Sequence, residues 1–158
     1  MSKAKKVNPT AQPEKKAIVK EPKINIGSWL EDKRLPIVIA VGYFLIMLAI
    51  SFGYHKVGDY NVETDFFWTY VPQGQSFLHG EIVIDKYRGP LYPIVLALFS
   101  VVFGNFFNAG VFIALLASAL VLFLTFKLVK QIFSSRIALA ATLLLAVNKV
   151  VIQYTYSA

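Results

Sequence analysis

The sequence has no cysteine, which excludes disulfides and thiolate metal sites and leaves the redox compartment unreadable. It has two histidines, His55 and His79, too few and too far apart for a metal site. Acids run out early: of nine, the last is Asp85. Long stretches carry no charge of either sign. What fills them is apolar. The 158 residues are 56% hydrophobic, against about 45–50% in soluble domains. These residues fall in blocks rather than in the scattered pattern of a soluble core. The composition is that of an integral membrane protein.

Basic residues are unevenly placed. Nine of the sixteen precede Leu35. A basic tail can bind nucleic acid, but no recognition motif accompanies this one, so no nucleic-acid partner is expected. On a membrane protein such a tail keeps its end in the cytoplasm. Residues 1–34 are therefore expected to be a disordered basic cytoplasmic tail touching anionic membrane lipid. It ends in a short interfacial helix. Ser28 and Glu31 have the spacing of a capping box there, with Trp29 at headgroup depth.

Residues 35–54 are twenty without a charge, enough to cross a core of about 30 Å. The basic stretch ahead is too long for a signal-peptide n-region, and no small-residue cleavage site follows. This predicts an uncleaved first span with its N-terminus inside. Two further spans are expected, over 108–129 and 137–154. Residues 91–107 are apolar but short and contain Pro93. If they span, there are four helices, and Lys127, Lys130 and Arg136 lie outside, against the positive-inside rule. If they lie along the outer face, there are three, and these cations join the tail inside. The expected fold is thus an all-α integral membrane protein with three transmembrane helices, with four as the alternative. Residues 55–107 form an external loop with amphipathic interfacial helices. Ala114, Ala117, Ser118 and Ala119 suit close helix packing, or are simply the small residues common in spans.

The loop holds Asp59, Glu63, Asp65, Glu81 and Asp85, with Lys56, Lys86 and Arg88. Thr64 or Asp65 can cap a helix starting at Phe66, and Gly80 can end it as a C′ residue. Pro72 would kink that helix or start a second piece. On this view Asp65 is an N-cap and no more.

A second view comes from the order of elements. Glu63-Thr64-Asp65 is followed by "FFWTYVPQGQSFLHG" and then by "IDKYRGPLYPIVLALFSVVFG", where Arg88 precedes a proline-rich stretch. This order resembles the GT-C superfamily of polyprenyl-phosphate-sugar glycosyltransferases. Within it the chain is similar to protein mannosyltransferases of glycosyltransferase family 39 and to aminoarabinose transferases. The resemblance runs over residues 35–158 and corresponds to the N-terminal part of such an enzyme. It implies a polyprenyl-phosphate-linked sugar donor and an acceptor glycan, lipid or protein at the outer face of the cell membrane. It places the catalytic base on the first external loop. Asp65 matches best, with Glu63 and Asp59 behind it, because a poor nucleophile needs a carboxylate to take its proton. The lipid phosphate that leaves needs a cation. Arg88 matches that role through its bidentate fork, with Lys86 next. Interfacial snorkelling would explain either residue equally. Lys149 interrupts an apolar run, where an ionisable group is costly; it is a third candidate for the phosphate, or it snorkels outward. No metal and no other cofactor is expected.

Members of that superfamily are several times longer. Three spans cannot enclose both donor and acceptor, so this chain alone is expected to be a fragment without transferase activity. The competing class is a non-catalytic small membrane protein, either an accessory subunit or a truncated relic, in which the loop acids are only a solvated face. A channel is disfavoured, since the spans offer few polar residues to line a pathway.

Overall fold

The computed structural model describes residues 29–54, 65–83 and 85–156, all helical or irregular. Residues 1–28 of the tail, and with them Ser28, lie outside these, as do His55, Lys56, Asp59, Glu63 and Thr64.

The first long helix, α1, is Leu35–Ala49 and runs on as a wider π turn, Ile50–Tyr54. Pro36 sits at its start, where a missing N–H costs nothing. A second helical segment begins with the π turn Phe66–Tyr70 and continues as α2, Val71–Leu78. Pro72 accounts for the change of pitch. It has no N–H to offer the Trp68 carbonyl, and its ring crowds that carbonyl. The chain widens just before it, so the Val71 N–H reaches back to the Phe66 carbonyl. The segment ends as expected at Gly80, with φ of 81°. The Gly80 and Glu81 N–H groups bond to the carbonyls of Phe77 (3.1 Å) and Ser76 (2.9 Å), the paired bonds of a Schellman end.

Helix α3, Leu91–Phe103, is followed by Gly104 in the left-handed region and by Asn105. The Asn105 side chain accepts the Asn108 N–H at 2.7 Å, and this cap opens α4, Phe106–Ile132. The helix runs two residues before and three beyond the expected second span, 108–129. Gly-Asn is both a stop and a start, and it divides 91–107 before its end. At 27 residues, α4 is about 40 Å long and overshoots a core of about 30 Å. The overshoot carries Lys127 and Lys130.

Ser134 caps α5, Ser135–Ala146, which is followed by α6, Lys149–Thr155. Within the expected third span, 137–154, the chain bends by 62°. Asn148 makes the break. Its backbone is extended, and its amide oxygen accepts the N–H groups of Val150 and Val151 at 2.9 and 3.4 Å. A short amide side chain competes with the helix for such donors.

Among the described residues two helical stretches, Leu35–Tyr54 and Phe106–Ile132, are long and apolar enough to cross a membrane, with a third if the bent pair α5–α6 is one broken span. The 13 residues of α3 fall short. The fold is that of an all-α membrane protein.

Helix α4 is the central element. At one end Phe126 packs with Leu30, Leu35 and Ala138. Further along, Val111 and Leu115 pack with Met47. At the other end Ala109 packs with Phe66 and Leu96. The three clusters fix the directions: α1 and α5 begin where α4 ends. Thr155 on α6 ties the middle together. Its hydroxyl lies 3.0 Å from Tyr43 Oη on α1 and 2.9 Å from Ser118 Oγ on α4, and donates to the Val151 carbonyl at 2.7 Å. Ser118, one of the small residues noted in the sequence, thus has a specific polar contact.

Helix α3 meets α4 only near its start among the described packing. Leu96 lies against Ala109, and Phe99 and Phe103 both pack on Phe112, at 5.6 and 4.8 Å between centroids. At Gly74 on α2, an added Cβ would lie 2.8 Å from the Phe106 ring and 3.4 Å from the Pro93 carbonyl. So α2, α3 and the first turns of α4 form one apolar cap on the bundle.

Candidate functional site

The cap carries the charged groups. Asp65 opens the second helical segment, but its backbone is helical and its side chain caps nothing. The expected N-cap role is therefore corrected. Its Oδ2 accepts from the Arg88 guanidinium at 2.6 Å. A guanidinium within reach outcompetes a backbone N–H for a carboxylate, because the bond is charge-assisted on both sides.

Three more groups hold Arg88. Its other terminal nitrogen donates to Thr69 Oγ1 at 2.8 Å and lies 3.7 Å from Asp85 Oδ2. The Tyr70 ring centroid is 5.8 Å from its central carbon, within cation–π range. Asp65 and Thr69 are four residues apart and so share a helix face. Asp85 also accepts the Tyr87 N–H at 2.7 Å, which turns the chain so that Arg88 faces that helix. Thr69, Tyr70 and Asp85 were not singled out in the sequence. The four-residue spacing from Asp65 to Thr69 and the three-residue spacing from Asp85 to Arg88 were the available signals.

Beneath the charges the site is aromatic. Phe66 is 2% exposed and meets Phe67 and Phe107 edge-on. Tyr70 meets Tyr92 edge-on at 4.9 Å. Above, the site is open: the side chains of Arg88 and Asp65 are 31% and 44% exposed. An exposed pair of this kind contributes little to stability, about 0–1 kcal/mol. Its placement matters more for what it can bind. One face presents a carboxylate and a planar cation within contact of each other.

The remaining sequence candidates are not gathered here. Lys86 is exposed, with no ion pair among the described residues. Lys149 is the first residue of α6, exposed at the bend, and pairs with neither Asp65 nor Asp85. Glu63 lies outside the described residues.

The opposite end has its own polar joint. Ser28, the other half of the expected capping box, lies outside the described residues; the contacts seen for Glu31 run to the bundle. Glu31 accepts from Ser135 Oγ at 2.7 Å and pairs with Lys130 Nζ at 3.1 Å. The Ser135 hydrogen bond and then Lys130 hold its carboxyl below the usual range. Just ahead of α1, the Asp32 carboxylate accepts the Arg34 N–H at 2.8 Å and so closes a turn.

An all-α bundle with apolar helices of spanning length and a charged site on an aromatic cap defines an integral membrane protein. Residues 87–158 match a family described as dolichyl-phosphate-mannose-protein mannosyltransferase. Over that stretch the chain resembles a membrane glycosyltransferase of the GT-C type. The matched residues include Arg88 and Lys149; Asp65 precedes them. No curated protein and no solved structure matches the chain.

Proposed function

We propose that the Asp65–Arg88 site serves a membrane glycosyltransferase that moves a sugar from a polyprenyl-phosphate donor to an acceptor at the outer membrane face. The observation that carries this reading is the 2.6 Å contact between Asp65 and Arg88, with the match to the mannosyltransferase family beginning one residue before Arg88.

The chemistry is a single displacement. An acceptor oxygen bonds to the anomeric carbon as the bond from that carbon to the phosphate oxygen breaks. Polyprenyl phosphate leaves with the bonding electrons. Asp65 takes the acceptor's proton, and Arg88 compensates the charge gathering on the phosphate. One residue cannot serve both partners fully at once. When the donor phosphate arrives, Arg88 exchanges Asp65 for phosphate oxygens, which its fork geometry suits. That exchange frees the Asp65 carboxylate for the acceptor, so donor binding prepares the base. Lys86 and Lys149 are held in reserve as further cations for the phosphate, and Glu63 as a second acid. The acceptor is a glycan, lipid or protein hydroxyl or amide.

The orientation follows from charge. Glu31, Lys130 and Ser135 join the entry of α1 to the α4–α5 corner. The corner cations therefore share an end with the basic N-terminal segment. The positive-inside rule puts that end in the cytoplasm and the cap outside. Helix α3 then lies at the outer face.

A second reading has support from the same contact. A paired Asp65 and Arg88 is also what a purely structural clamp between loop and helix looks like, as in a non-catalytic membrane protein. A double-mutant cycle separates the two. Transfer is measured for Asp65→Asn, Arg88→Gln and the double variant of the complete protein in membranes. Each single change is expected to lower transfer by about 10²-fold or more, with thermal stability nearly unchanged. The double variant should fall by less than the product of the two. Full retention of transfer in both single variants would overturn the assignment in favour of the clamp.

A further inference from the structure

The other end of the bundle holds a feature that the proposed chemistry does not use. Along the seam between α1 and α4, two cavities follow one another. The first, about 370 Å³, opens at the polar end. Lys33, Lys127 and Lys130 line it with Asp32, above Pro36 and Phe126. The second, about 310 Å³, is apolar and continues along the same two helices to Phe44 and Leu116. Small residues from both helices, Ala40 and Ala119, leave room in it. The Lys127 ammonium lies 5.3 Å from the centroid of the Phe123 ring, which lines the second cavity. It therefore stands where the two join.

The charges are available. Lys130 is tied to Glu31, but Lys33 and Lys127 have no carboxylate partner among the described residues. Five cations, Lys33, Arg34, Lys127, Lys130 and Arg136, stand at this end against Glu31 and Asp32. From Leu35, the first residue of α1, to Phe44 is nine rises, about 14 Å, close to one leaflet of a core about 30 Å thick.

We propose that this seam binds one anionic phospholipid, its headgroup phosphate on Lys33 and Lys127 and one acyl chain along the apolar groove. The match is in both halves. A free phosphate would use the lysines and leave the groove unfilled. A zwitterionic lipid would fill the groove but bring a cation of its own to the lysines. An apolar helix from a second copy would cover the groove and bring the lysines no anion. Basic pockets between membrane helices take anionic headgroups for this reason.

The test is lipid retention by the full chain in neutral detergent. Equal amounts of phosphatidylglycerol and phosphatidylcholine with matched acyl chains are added, and bound lipid is counted by native mass spectrometry. One phosphatidylglycerol per chain is expected, retained in preference to phosphatidylcholine. Preference should fall roughly fivefold for each of Lys33→Gln and Lys127→Gln. Ala119→Phe, which fills the groove, should lower retention of the lipid with both lysines intact. Millimolar inorganic phosphate should not displace it. Equal retention of the two lipids would overturn the proposal. So would displacement by inorganic phosphate, indifference to Ala119→Phe, or a dimer holding no lipid.

Discussion

At the scale of the residue, the sequence made Asp65 and Arg88 visible by order and left their relation hidden. They are 23 positions apart, and no periodicity joins them. The N-cap reading of Asp65 failed because a nearby guanidinium is a stronger partner than a backbone N–H. Glu31, noted in the sequence only for its capping-box spacing, is held by Lys130 and Ser135. That joint gives a pH prediction. The folded value of Glu31 is lowered by the Ser135 hydrogen bond and Lys130. A lowered carboxyl contributes stability that is present above its unfolded value, about 4.3, and is lost as pH falls through the lower folded value. Thermal unfolding in detergent should therefore show a smaller loss on acidification from pH 6 to pH 3 for Glu31→Gln than for the unaltered chain. Equal losses would mean that the joint does not hold in solution.

At the scale of the element, the apolar blocks marked every long helix, because a run of uncharged residues has few other uses. The ends and breaks were harder to read. Gly80 was legible as a helix stop, and the structure has it with φ of 81°. Gly104-Asn105 carries the same signal and a cap besides, yet the hydrophobic run around it conceals the division. Lys149 was seen as an interruption, but the break is made by its neighbour Asn148: one amide oxygen holds two N–H groups where the helix turns by 62°. The prediction here concerns Gly80. Gly80→Ala forces a side chain into the left-handed region, at a cost of about 1 kcal/mol, although nothing stands in the way of the added Cβ. Thermal stability should fall by a few degrees, and transfer should fall with it if this end positions the turn that leads to Arg88. An unchanged melting temperature would show that the Schellman end is not formed.

At the scale of the whole molecule, the bundle holds its two charged ends apart by its length. Helix α4 is the common strut. Its first turns pack under the cap that bears Asp65 and Arg88, and its last turns carry Lys127 and Lys130. The two long apolar helices were readable from composition, and so was the shortness of α3. The folding of α3 onto the first turns of α4 was not, because aromatic contacts such as Phe103 with Phe112 depend on a turn that hydropathy does not register. The central proposal is that the capped end faces outside and there transfers sugar from a polyprenyl phosphate. The direct measurement uses sealed right-side-out vesicles containing the complete protein, supplied externally with a water-soluble short-chain polyprenyl-phosphate-mannose and an acceptor. The account predicts that polyprenyl phosphate and mannosylated acceptor appear in equal amounts outside the vesicles, and that Asp65→Asn lowers both by about 10²-fold or more. Transfer that is unaffected by Asp65→Asn, or that appears only when the inner face is exposed, would contradict it.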